Sequence, residues 1–171
     1  MKILVGVGLA QQVIKLLGCI VLLTILVILY TMIFNKKKRS LSFRQAFALS
    51  GLPIISFKSN DQWINLVFDT GCNYSVINKE EVDKFNCILL EGASELIGLE
   101  GKTNRGNVAK LTLEYEDEQY TIECGVIDMS EAIKELKNTY GVIVHGILGT
   151  DFFDKYKYVI DFSSMIVYSK K

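Results

Sequence analysis

Hydrophobic positions along the chain follow two different rhythms. From Leu16 to Phe34 there are nineteen residues without a formal charge, with Thr24 and Thr31 the clear polar exceptions. The run has no amphipathic face and stops abruptly at Asn35-Lys36-Lys37-Lys38-Arg39. A spanning helix needs about 20 apolar residues, so this pattern predicts a single transmembrane helix over 16–34. Residues 1–15 then form a short N-terminal segment, and 35–52 a basic flank and tether. Leu41, Phe43, Phe47 and Leu49 give the tether enough apolar character to lie on a bilayer or pack on the C-terminal domain.

After Pro53, the only proline, the rhythm becomes that of short strands. Ile54–Lys58 and Trp63–Phe68 flank a Ser59-Asn60-Asp61 turn and read as a hairpin. Tyr74–Ile77 reads as a strand. Asn78 with Glu81 three residues later has the form of a capping box, predicting a short helix to about Phe85. Cys87–Leu90 is a further strand, and Glu95–Leu113 a long hairpin with a tip rich in glycine and polar residues. Leu111–Tyr115 alternates apolar and polar, as a half-buried strand does. Tyr120–Ile127 returns, and Ser130–Leu136 forms a short helix capped by Asp128 or Ser130. Val142–Gly149 is a continuous apolar strand, followed by a brief helix capped by Thr150 or Asp151. Tyr158–Phe162 and Met165–Tyr168 end the chain as a hairpin. Many strands with few helices predict an all-β, barrel-like domain over 53–171, with one or two short helices.

Charge sharpens this division. Residues 1–40 hold six basic side chains and no acidic one, against totals of 19 and 19, so 41–171 is net acidic. An acidic domain without a basic stripe argues against nucleic-acid binding. More basic residues follow the apolar run than precede it, which places the C-terminal domain in the cytoplasm. Cys19, Cys72, Cys87 and Cys124 are scattered, without metal-ligand spacing, and fit free thiols in a reducing compartment. Neither a cofactor nor a metal is implied.

One stretch carries chemistry. The apolar run Leu66-Val67-Phe68 delivers Asp69 into Thr70-Gly71-Cys72, and Ser75-Val76-Ile77 leaves it. A carboxylate at the end of a buried strand is normally paired or working. Far downstream, Ile147-Leu148-Gly149 ends a second apolar strand and a helix follows at once. Asp69-Thr70-Gly71 resembles the catalytic triplet of the retropepsin-like aspartic proteases, the single-lobe relatives of pepsin. Ile147-Leu148-Gly149 resembles the element that crosses beneath that triplet, and Ile160-Asp161-Phe162 the late strand of bacterial members. The resemblance covers Pro53 to Lys171. It implies a closed-barrel-like acid protease lobe, with Asp69 catalytic and Thr70, Gly71, Ile147, Leu148 and Gly149 in support. The Gly98-Leu99-Glu100-Gly101 tip becomes a flap candidate.

Cys72 stands where the family has Ala or Ser. Asp151 reads as a helix cap, Asp161 as a strand residue with a local partner, and His145 as a core histidine. With one Asp-Thr-Gly per chain, a two-aspartate site requires a homodimer acting on a peptide, tethered to lipid through 16–34. The alternative is a catalytically silent module of the same fold, used for dimerisation or peptide binding at the membrane.

Overall fold

A computed structural model describes residues 15–31, 40–97 and 103–170. Two compact units divide at Arg39/Ser40. The first contains helix α1 (15–31), whose apolar side chains are exposed. Among the described residues no helix is long and apolar enough to cross a membrane. The remainder of the expected span, 32–34, and the basic block 35–39 lie outside the described residues.

The second unit begins at Ser40. The stretch expected as a tether instead folds as α2 (Phe43–Ser50). Ser42 and Gln45 form its capping box, Gly51 terminates it in the left-handed region, and Phe43 and Ala46 are buried. The Leu41 amide donates to Ser56 Oγ at 2.7 Å, tying the start of this segment to the first strand. Phe43 is part of the main core, and Ala46 packs with Ile54, Val142 and Val144. Leu41, Phe43, Ala46 and Phe47 therefore pack into the domain, whereas Leu49 stays exposed.

The strands are β1 (Ile54–Ser59), β2 (Gln62–Phe68), β3 (Val76–Asn78), β4 (Ile88–Ile97), β5 (Thr103–Tyr115), β6 (Glu118–Ile127), β7 (Gly146–Leu148), β8 (Tyr158–Asp161) and β9 (Ile166–Ser169). The first seven form one sheet in the order β1-β2-β7-β3-β6-β5-β4, and β1 also pairs with β5 at Lys58 and Glu114. That pairing closes six strands into a barrel and leaves β4 outside the ring. β8 and β9 make a separate hairpin. The all-β expectation holds, and among the described residues the lobe over 53–171 carries two short α-helices, α3 (Ser130–Tyr140) and α4 (Thr150–Tyr156), with α2 preceding it.

The barrel is filled by aromatic rings. Phe57, Phe68, Tyr120, Phe152 and Tyr158 are buried and pack on one another with centroids 5.1–6.3 Å apart. Most of these pairs meet edge to face or tilted, the arrangement favoured by ring quadrupoles. Phe68 immediately precedes Asp69, so this packing anchors the root of the candidate site.

Two local expectations change for tertiary reasons. Asn78 makes no cap; its Oδ1 accepts the Met129 amide at 2.9 Å, and only a 3-10 turn, Lys79–Glu81, follows. The extended segment before β7 is bound at His145 and at the Ile143 carbonyl rather than as a full strand. The His145 amide donates to Asn65 O, and the Asn78 amide to His145 O, both at 2.9 Å.

The His145 ring is buried against Phe85, and its Nδ1 accepts the Asn65 amide at 2.8 Å. Nδ1 therefore carries no proton, and the neutral ring holds its proton on Nε2. Burial, reinforced by the Lys84 cation and opposed by Glu81, lowers its pKa from 6.5 to about 4. The unfolded chain thus binds this proton more readily than the folded one. Stability from this group is full above pH 6.5 and is lost as pH falls towards 4. Such a difference corresponds to about 3 kcal/mol. Urea unfolding of the full chain at a series of pH values should show this loss, and His145→Gln should flatten it; an equal slope in that variant would contradict the assignment.

Candidate active site

β2 ends at Phe68, and the chain turns through Asp69-Thr70-Gly71-Cys72 before β3 begins at Val76. β7 lies between these two strands. It runs parallel to β2, with Leu66 opposite Gly146, Val67 opposite Ile147 and Phe68 opposite Leu148. It runs antiparallel to β3, with Val76 opposite Ile147 and Ile77 opposite Gly146. Ile147-Leu148-Gly149 is thus brought against both roots of the Asp69 turn.

Hydrogen bonds then fix the turn. The Asp69 amide donates to Leu148 O at 3.0 Å, and the Cys72 amide returns to Asp69 O at 3.1 Å. The Thr150 amide donates to Cys72 O at 2.8 Å. The Gly71 amide donates to Asp69 Oδ1 at 2.8 Å, orienting the carboxylate. Cys72 points its thiol at Tyr74 O, 2.9 Å away. Asp69 is half-buried, while Thr70 and Gly71 are exposed and Leu148 is wholly buried. The carboxylate therefore stands on a rigid base at an open surface.

Glycine is required where the crossing is tightest. A Cβ on Gly149 would lie 2.6 Å from Cys72 O and within 2.9 Å of Tyr74 backbone atoms. One on Gly146 would lie 2.3 Å from Val76 O. Both contacts are with backbone, which cannot step aside without breaking the pairings that hold Asp69.

Other candidate groups separate from this site. Asp161 accepts from the Ser163 amide and hydroxyl and from the Ser164 amide, and these bonds, the Ser163 hydroxyl first, lower its pKa to about 2. It is committed to its own turn. Burial pushes the Cys87 thiol up to about 11 and the Cys124 thiol up to about 12, so neither is a ready nucleophile. Among the described residues no group of three or more metal-binding side chains stands together. The flap candidates Gly98, Leu99, Glu100 and Gly101 lie outside the described residues, between β4 and β5.

Asp151 is not a helix cap. It lies in the first turn of α4, and its Oδ1 accepts the Ser75 hydroxyl at 2.7 Å. Ser75 Oγ in turn accepts the Gly149 amide at 3.1 Å. Neither residue was singled out for the site from sequence. The available signal was a serine opening an apolar strand just after the Asp-Thr-Gly turn, paired with an acid two residues after the distant glycine.

A cavity of about 550 Å³ is lined by residues such as Leu41, Lys58, Trp63, Tyr115 and Met165 and by none of the Asp69 turn.

No family model matches the chain, and no curated protein matches it. Among solved structures the chain is similar to the EIAV protease complexed with the inhibitor HBY-793, at TM-score 0.46 and 19% identity, covering 61% of this chain and 86% of that one. It is also similar to the retroviral protease-like domain of Ddi1 from Leishmania major, at TM-score 0.46 and 13% identity, covering 70% and 86%.

The crossing makes a direct stability prediction. Gly149→Ala should cost about 3 kcal/mol or more, because the new methyl meets fixed backbone. The thermal midpoint should fall by roughly 10 °C. A midpoint within about 2 °C of the parent chain would show that the crossing has slack.

Proposed function

We propose that this chain is a homodimeric, retropepsin-like aspartic endopeptidase. The observation that carries the reading is Asp69, held by its backbone and by the Gly71 amide at an open surface, with no equivalent carboxylate among the described residues of the same chain. Asp151 is engaged by Ser75 and Asp161 by its own turn, so neither supplies a second copy of that setting. A two-fold axis beside the turn supplies it from an identical chain.

The chemistry follows from two carboxylates a few Å apart. They do not both ionise easily, so they share one proton. The ionised Asp69 takes a proton from a water as that water attacks the peptide carbonyl. The protonated Asp69 of the other copy donates its proton to the carbonyl oxygen. The tetrahedral intermediate collapses when a carboxyl proton passes to the departing amine nitrogen. The carbonyl re-forms, and the carboxylates regain their shared proton. Thr70, at the surface of the turn, braces one copy against the other in this reading, and the 98–101 tip covers the substrate.

The reading includes a membrane anchor through 16–34. It is supported by the exposed apolar face of 15–31 and by the uncharged sequence continuing to Phe34 before four cations. Confinement to a bilayer raises the effective concentration of chains that must pair. The same charge bias puts the protease domain in the cytoplasm.

In the full-length chain, cleavage of a peptide library should be maximal at mildly acidic pH. Asp69→Asn should lower it by at least about 10²-fold, the usual scale for losing positioned acid–base catalysis. Turnover that survives the substitution overturns the reading. A dimer that binds peptides without cutting them would favour the silent module instead.

A further inference from the structure

Ser75 is wholly buried and has a single proton to give. It gives that proton to Asp151 Oδ1 at 2.7 Å, and its oxygen accepts the Gly149 amide at 3.1 Å. The Gly149 N–H and the Leu148 C=O belong to one peptide unit. On its other side that carbonyl accepts the Asp69 amide at 3.0 Å. A peptide unit is planar and rigid, so its two ends cannot reorient independently.

The hydrogen bonds therefore form one line. Asp151 holds the Ser75 hydroxyl, Ser75 holds the Leu148–Gly149 peptide, and that peptide holds the backbone of Asp69. An ionised carboxylate only accepts, which fixes the direction of the Ser75 proton and turns a lone pair towards Gly149. Bonds arranged head to tail in this way polarise and strengthen one another. The plane has little freedom to settle elsewhere, because Gly149 is pressed against Cys72 O and the Tyr74 backbone.

We propose that Ser75 and Asp151 are positioning residues for Asp69, acting through the Leu148–Gly149 peptide. The proposal rests on the reading of Asp69 as the catalytic carboxylate. Its geometric half stands apart from that reading and is tested apart from it. What Asp151 supplies is an acceptor oxygen at a fixed place, so an amide in the same position serves equally well.

Two readouts on the full-length chain decide the matter. In peptide cleavage, Asp151→Ala and Ser75→Ala should lower kcat by about 10- to 100-fold, the scale of a small misplacement of a reacting group, and leave KM within about threefold. Asp151→Asn should stay within about threefold of the parent in both constants, since its Oδ1 still accepts from Ser75. In amide hydrogen exchange, the two alanine variants should speed exchange at Asp69 and Gly149 by about tenfold or more, with Leu111 on β5 unchanged as the control for global opening. Asp151→Asn and Asp69→Asn should leave those amides protected.

Exchange at Asp69 and Gly149 that is unaltered in Asp151→Ala overturns the proposal. So does an Asp151→Asn variant as impaired as the alanine, or acceleration that extends equally to Leu111. A parent chain without Asp69-dependent cleavage sinks the catalytic reading alone, and the exchange results still decide whether Asp151 and Ser75 hold Asp69.

Discussion

The peptide between Leu148 and Gly149 has a neighbour on each side. Its carbonyl accepts from Asp69 and its amide donates to Ser75, so the turn after β2 and the start of β3 meet on one rigid plane. That plane comes from a three-residue strand inserted between strands that are close in sequence but not paired with each other. Insertion is possible only because Gly146 and Gly149 carry no side chain where β3 and the turn press closest. Below it, Phe68 and Phe152 lock β2 and α4 into the same aromatic core. Asp69 is thus rooted in the aromatic core, while the residue itself is only half-buried.

Rigidity beneath and openness above fit a site completed by a second molecule. The Gly71 amide fixes the orientation of the Asp69 carboxylate, so under the proposed pairing little freedom would be lost there. The same architecture ties the site to His145. That residue bridges β2 and β3 through its backbone, and its neutral ring takes the Asn65 amide just before β7 begins. Acid begins to charge a ring that must stay neutral for the bed beneath Asp69 to hold together.

Much of this was legible in the chain itself. Alternation in 111–115 and the apolar run at 64–68 point to β5 and β2, because side-chain period and burial are local properties, whereas the run at 142–149 pairs as a strand only over Gly146–Leu148. The resemblance carried by Asp69-Thr70-Gly71 and Ile147-Leu148-Gly149 implies the crossing, and the close backbone contact at Gly149 is its physical reason. What sequence did not disclose depends on distant partners. The Asn78–Glu81 pattern satisfied the local rule for a cap, yet Met129, far along the chain, offers Asn78 a competing donor. The apolar positions of 41–49 leave open whether the tether lies on a bilayer or packs on the domain; Ser56 and the Ile54 cluster are the distant partners that decide for packing. Asp151 looked like a helix cap because its true partner, Ser75, lies 76 positions earlier. Closure of the barrel rests on a single β1–β5 pairing that no periodicity foretells.

The central claim is that one working site needs Asp69 from two chains, and mixed dimers test it most directly. Parent and Asp69→Asn chains produced together in equal amounts should assort at random, leaving about a quarter of the dimers with two intact aspartates. The account predicts that peptide cleavage per dimer falls to about a quarter of the parent value and tracks the square of the parent fraction as the ratio is varied. Cleavage that falls only in proportion to the parent fraction would mean that each chain works alone, and would contradict the shared site.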